Sequence, residues 1–96
     1  MDGVVYRVCL LSDETVSRMR DEITAIDREL LALVNRRIDA VAHLKRHKVE
    51  HGIAFVDPDR EARMIAERVA ENAGPLSEEG LRAFYAELLA LTKREV

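Results

Sequence analysis

From Val16 onward the apolar residues Val16, Met19, Ile23, Ile26, Leu30, Leu33 and Leu44 follow a three-to-four-residue spacing. That spacing lines side chains along one stripe of an α-helix. Ser12 and Asp13 stand just before it as N-cap candidates, and no Gly or Pro follows until Gly52. The pattern predicts a first helix starting near residue 13 and running for about 37 residues, roughly 55 Å. After a short loop, Asp57-Pro58 supplies an N-cap followed by a proline at the first helical position, the favoured opening for a second helix. Its apolar face is Ala62, Ile65, Ala66 and Val69, and Asn72-Ala73-Gly74-Pro75 supplies the stop. Ser77, with Glu78 and Glu79 behind it, opens a third helix striped by Leu81, Phe84, Tyr85, Leu88, Leu89, Thr92 and Val96. The fold class read from this pattern is all-α, one long helix and two short ones, with no strand needed to form a core.

The length of the first helix changes what the chain is expected to do. A 96-residue chain buries only about 60–65% of its unfolded surface on its own. A stripe along so long a helix must cover part of its apolar face with another chain, so an intertwined homodimer is expected. Residues 1–12 read as an N-terminal tail or irregular lead-in, and residues 13–96 as the folded domain. Hydrophobic residues make up 48% and charged residues 34%, too apolar for a disordered chain. The net charge of -3 lacks the basic surplus that nucleic-acid binding needs. Cys9 is the single cysteine, so no disulfide can form within the chain, which fits a reducing cytoplasm. The apolar run Val4 to Leu11 is interrupted by Arg7 and preceded by Asp2. It reads as neither a signal segment nor a membrane span, and a soluble cytoplasmic protein is expected.

Several polar residues break the stripe. Arg37 continues the seven-residue series Val16, Ile23, Leu30 into a position where an apolar side chain belongs, so its charge calls for a partner. Lys48 lies eleven residues on, about three turns plus 20°, so the two cations face the same way with backbones about 16 Å apart. Side chains leaning inward could narrow that gap to a small dianion; the alternative is that Arg37 snorkels and Lys48 is solvated. Arg20 sits about 100° off this face and could join the same groove only from another chain. At the start of the second helix, Asp57 has a capping role and Glu61 a favourable place in the helix dipole, while Arg60 opposes that dipole and more readily serves an anion. His43, His47 and His51 are spaced to chelate zinc in pairs, but no Cys or well-placed carboxylate completes a tetrahedral set. No metal is expected, and no nucleophile-base pair or phosphate loop signals covalent chemistry.

Taken in order, Met19-Arg20-Asp21-Glu22-Ile23, Ile26-Asp27-Arg28-Glu29-Leu30-Leu31, Arg36-Arg37, Lys48 and Asp57-Pro58-Asp59-Arg60-Glu61 resemble the all-helical, AroQ-type chorismate mutases. The resemblance runs from about residue 16 to the end of the chain. It implies a cofactor-free isomerase that rearranges chorismate to prephenate for aromatic amino acid biosynthesis. By resemblance, Arg37, Lys48 and Arg60 of one subunit and Arg20 of the other bind the two carboxylates, and Lys48 also meets the ether oxygen of the breaking bond. Glu61 accepts from the ring hydroxyl, with Asp57 nearby. Thr92 stands where the family has a Ser, and Val96 where it has a Gln. Two explanations of that departure stand side by side. A one-residue shift would bring Glu95 to the ether oxygen as a protonated, catalytic donor. Otherwise the site is completed when a partner orders the end of the chain, as the first enzyme of the shikimate pathway does for some small members of the family. Isochorismate-pyruvate lyases and aminodeoxychorismate mutases share the fold and stand as alternatives, as does a non-enzymatic helical dimerisation module.

Overall fold

The computed structural model describes the backbone of residues 2–96 and the side chains of residues 13–96, and it contains three helices. They are α1 (Asp2–Glu50), α2 (Pro58–Glu71) and α3 (Glu78–Glu95). No strand is present among the described residues. The chain forms two units, one ending at Arg36 and the other spanning Arg37–Val96.

The first helix begins well before the expected position. Ser12 and Asp13 lie inside α1 rather than capping it. Capping residues are signals only where the chain is free to stop, and once a helix is nucleated each further residue adds a hydrogen bond at little cost. Nothing between Val4 and Glu50 is a Gly or Pro that would interrupt it. The side chain of Cys9 lies outside the described residues. In the first unit the expected stripe is present and uncovered: Met19, Ile23, Ile26, Leu30 and Leu33 are all exposed, Ile23 to 57% and Leu31 beside the stripe to 63%.

The second unit is organised by its helix ends. Gly52 adopts a left-handed φ of 66°, a conformation that costs an L-residue with a side chain roughly 1–2 kcal/mol. This lets the Ile53 amide donate to the Lys48 carbonyl at 2.8 Å and the Gly52 amide to Val49 at 3.3 Å, the paired bonds that close a helix whose terminal glycine is left-handed. The turn therefore fixes the backbone of Lys48. Asp57 caps α2 by accepting from the Arg60 amide at 3.1 Å, with Pro58 in the first turn. At the other end, the Asn72 side chain donates to the Leu76 carbonyl at 2.8 Å and accepts from the Gly74 amide at 3.1 Å. That folds the link to α3, where the Ser77 hydroxyl accepts from Gly80 at 3.0 Å.

α2 and α3 pack against each other, the first turn of α2 meeting the last turn of α3 through Glu61 and Lys93. The end of α3 is tied to α1 by the Lys45 ammonium, which donates to the Val96 carbonyl at 2.8 Å. Among the described residues only Leu81 and Thr92 are fully buried, at 4% and 3% exposure. Ile65, Val69, Tyr85 and Leu88 are half-buried.

Candidate active site

All three helices of the second unit meet around one cavity that is partly open to solvent. α1 contributes Arg37 and Lys48 from the same face, with Val41 and Leu44 between them as an apolar floor. The loop contributes Phe55 and Asp57, α2 contributes Arg60, Glu61 and Met64, and α3 contributes Leu89, Thr92 and Lys93. The helical spacing that places Arg37 and Lys48 three turns apart on one face brings both to the lining of one cavity.

Each cation is held differently. The half-buried Arg37 guanidinium donates to the Thr92 hydroxyl at 2.6 Å, and that hydroxyl donates to the Leu88 carbonyl one turn back at 2.7 Å. The partner that Arg37 called for is therefore Thr92, from a helix 55 residues away along the chain. A hydroxyl has a single proton, and that of Thr92 is spent on Leu88, so its role in this arrangement is to hold Arg37. The Lys48 ammonium donates to the Phe55 carbonyl at 3.3 Å, which ties it to the loop and leaves its other N–H groups for a ligand. Among the described residues the Arg60 side chain makes no hydrogen bond or ion pair, and Arg60 is exposed at the cavity edge. Of the two carboxylates, Asp57 uses one oxygen as the cap of α2. Glu61 is paired with Lys93, whose Nζ lies 2.9 Å from Oε1 and 3.2 Å from Oε2. Four cations against two carboxylates give the lining a net charge of +2, the complement of a dianion.

Two expected residues are not brought to this cavity. Arg20 belongs to the first unit and is exposed there. Glu95 is also exposed and does not line this cavity. Leu89, Thr92 and Lys93 define the cavity face of α3, and at 100° per residue Glu95 points about 110° away from it while Val96 stays within about 15°. Val96 borders a separate groove against Lys45 and Val49.

Lys93, Phe55 and Met64 were not singled out from the sequence. For Lys93 a signal existed: it lies four residues after Leu89, so it continues the row that Leu89 and Thr92 mark. A lysine in the last turn of a helix has an ordinary electrostatic explanation, which concealed it. The histidine row is turned inward on its own helix. A ring nitrogen of His43 bonds the Asp39 carbonyl at 2.7 Å, one of His51 bonds the His47 carbonyl at 2.8 Å, and the rings of His47 and His51 stack 4.1 Å apart.

All three helices of the Arg37–Val96 unit thus converge on one cavity with a net-positive lining. The sequence profile described as chorismate mutase type II matches residues 19–95, and the chain belongs to that family. It is similar to the structure of chorismate mutase (form I) from Thermus thermophilus, with 32% identity and a TM-score of 0.78, over 80% of this chain and 96% of that one. Form II of the same protein gives a TM-score of 0.80 over 82% of this chain and 90% of that one. The T-protein of Haemophilus influenzae is 37% identical over 82 residues, which are 80% of this chain and 22% of that protein. The 4-amino-4-deoxychorismate mutase of Streptomyces venezuelae is 36% identical over 58 residues, 60% of this chain and 55% of that one. The chain thus spans between about a fifth and about half the length of these two curated relatives. No described helix is long and apolar enough to cross a membrane.

Proposed function

We propose that the protein is a chorismate mutase acting as a homodimer, with the Arg37–Val96 unit supplying most of each site and Arg20 of a second copy completing it. The observation that carries this reading is the net charge of +2 around a cavity whose cations are set at opposite ends by α1, within the chorismate mutase type II family. The dimer is supported by the uncovered stripe of α1. Seven residues from Val16 to Leu33 are each 42–63% exposed, and burying half of such a side chain contributes about 1 kcal/mol, so the stripe as a whole favours association by several kcal/mol before the entropy of docking is subtracted.

The rearrangement of chorismate to prephenate breaks one C–O bond and forms one C–C bond in a single step. No proton is transferred and no covalent intermediate forms. Charge and shape suffice. Arg37, held by Thr92, acts with Arg60 and the partner's Arg20 to clamp the two carboxylates, selecting the compact diaxial conformer in which the reacting carbons meet. Lys48 faces the ether oxygen, whose negative charge grows as the C–O bond lengthens, so its attraction is strongest in the transition state. Glu61 accepts from the ring hydroxyl beside Asp57. An acceleration of about 10⁶ requires about 8 kcal/mol, and one well-aimed donor supplies about 3–4. The carboxylate clamp must therefore provide the remainder through orientation.

The test is the loss of chorismate absorbance with the purified protein, with isochorismate and 4-amino-4-deoxychorismate run in parallel. Saturable conversion of chorismate to prephenate is expected. Turnover of isochorismate alone, or of none of the three, would overturn the reading.

A further inference from the structure

The Lys93–Glu61 ion pair stands inside the cavity lining rather than on an outer face, and the sequence resemblance assigned no role to Lys93. Asp57 gives one carboxylate oxygen to the cap of α2, and Glu61, one helical turn further on, is the lining carboxylate that Lys93 neutralises. It has two oxygens and about four acceptor sites. Lys93 occupies one side of both oxygens, at 2.9 and 3.2 Å, and leaves the other side for a donor. Any group that donates to Glu61 from the cavity therefore sits within about 6 Å of the Lys93 ammonium, since both lie at hydrogen-bond distance from one carboxylate.

We propose that Lys93 is a specificity-determining residue, making the site select a neutral hydroxyl over a cationic amine on the ring of its dicarboxylate substrate. The proposal rests on the reading of the cavity as a chorismate-type site. A hydroxyl carries no charge and gains from the Glu61 carboxylate whether or not Lys93 is present. An alkyl amine in the same place is protonated at neutral pH. Toward that ammonium a lone Glu61 would be attractive, whereas Glu61 paired with Lys93 offers a neutralised carboxylate and a second, repelling ammonium. Discrimination then arises from a like-charge element built against the wrong ligand. Lys93 and Glu61 are partly exposed, 38% and 25% for their side chains, so solvent screens the effect and about tenfold is expected rather than more.

The test uses the full chain and two pairs of probes. Prephenate and 4-amino-4-deoxyprephenate carry the same carboxylates and differ only at the ring substituent, so calorimetric titration gives an affinity ratio without turnover. Chorismate and 4-amino-4-deoxychorismate give the corresponding ratio of kcat/KM. Wild type should favour the hydroxyl compounds, Lys93→Met should reduce that preference about tenfold, and Lys93→Arg should retain it. Melting curves establish that each variant is folded. An unchanged affinity ratio in Lys93→Met would overturn the proposal, and so would an equal loss in Lys93→Arg, which keeps the charge. If wild type turns over neither substrate while its affinity ratio depends on Lys93, the activity reading fails and the role of Lys93 stands. If chorismate is turned over and the ratio ignores Lys93, only the present inference fails.

Discussion

Replacing Thr92 with valine removes one hydroxyl while keeping the shape of a side chain that is 3% exposed. Two bonds go with it, the one from Arg37 at 2.6 Å and the one to Leu88 at 2.7 Å. The Leu88 carbonyl retains the helix bond from the residue-92 amide, so little is lost there, and Thr and Val have similar helix propensities. The bond to Arg37 is charge-assisted, worth about 1.5–3 kcal/mol where buried, and the half-buried setting of Arg37 favours the lower end. A loss of about 1.5 kcal/mol corresponds to about tenfold in kcat/KM. On the proposed reading Arg37 grips a carboxylate in ground state and transition state alike, so the loss should fall mainly on KM. Thr92→Ser, which keeps the hydroxyl, should remain within about threefold of wild type. The measurements are initial rates of chorismate loss and a thermal melt on the same preparations. A Thr92→Val protein with unaltered kcat/KM would refute the positioning role, and a fall confined to kcat would show that the hydroxyl acts on the reacting bond itself.

Arg20→Ala and Lys48→Ala should each lower kcat/KM by about 10² or more. Refolded together as an equal mixture, they should recover about a quarter of wild-type activity, because half the dimers are mixed and each has one intact site; no recovery would refute a site shared between chains. Light scattering at micromolar concentration should give the mass of a dimer, and a monomeric mass with a full helical signal would remove the proposed source of Arg20. Glu95→Gln should leave kcat/KM unchanged across the pH range, since Glu95 faces away from the cavity; a flattened profile would restore it to the mechanism.

How much of this could be read from the chain depended on the range of the interaction. Asp57-Pro58, Asn72 through Pro75, and Ser77 with Glu78 and Glu79 set helix ends by contacts only a few residues long, and each end stands where those residues put it. The common direction of Arg37 and Lys48 was legible because it is a property of one helix. The start of α1 was not, since Ser12 and Asp13 have the composition of caps and only the surrounding backbone determines whether they act as such. The register of α3 was undecided for a similar reason. Thr92, Glu95 and Val96 differ by fractions of a turn, and only packing against α1 selects among them. The pairings of Arg37 with Thr92 and of Glu61 with Lys93 span 55 and 32 residues and have no local signature.

The left-handed turn at Gly52 makes part of the active site inheritable through a residue that lies outside its lining. Nothing lies within 4 Å of where a Cβ on Gly52 would stand, so a side chain there meets no obstacle; the obstacle is φ itself, at 66°. A change at this position would redirect the segment that presents the Phe55 carbonyl to Lys48 while leaving every charged group of the cavity intact. In a mutational map scored by turnover, Gly52 should therefore group with the cations of the cavity, although its neighbours His51 and Ile53 should tolerate exchange. For anyone redesigning the loop between α1 and α2, the freedom lies at Ile53 and Ala54, whereas the Phe55 ring lines the cavity and lies 5.3 Å from the Lys45 ammonium.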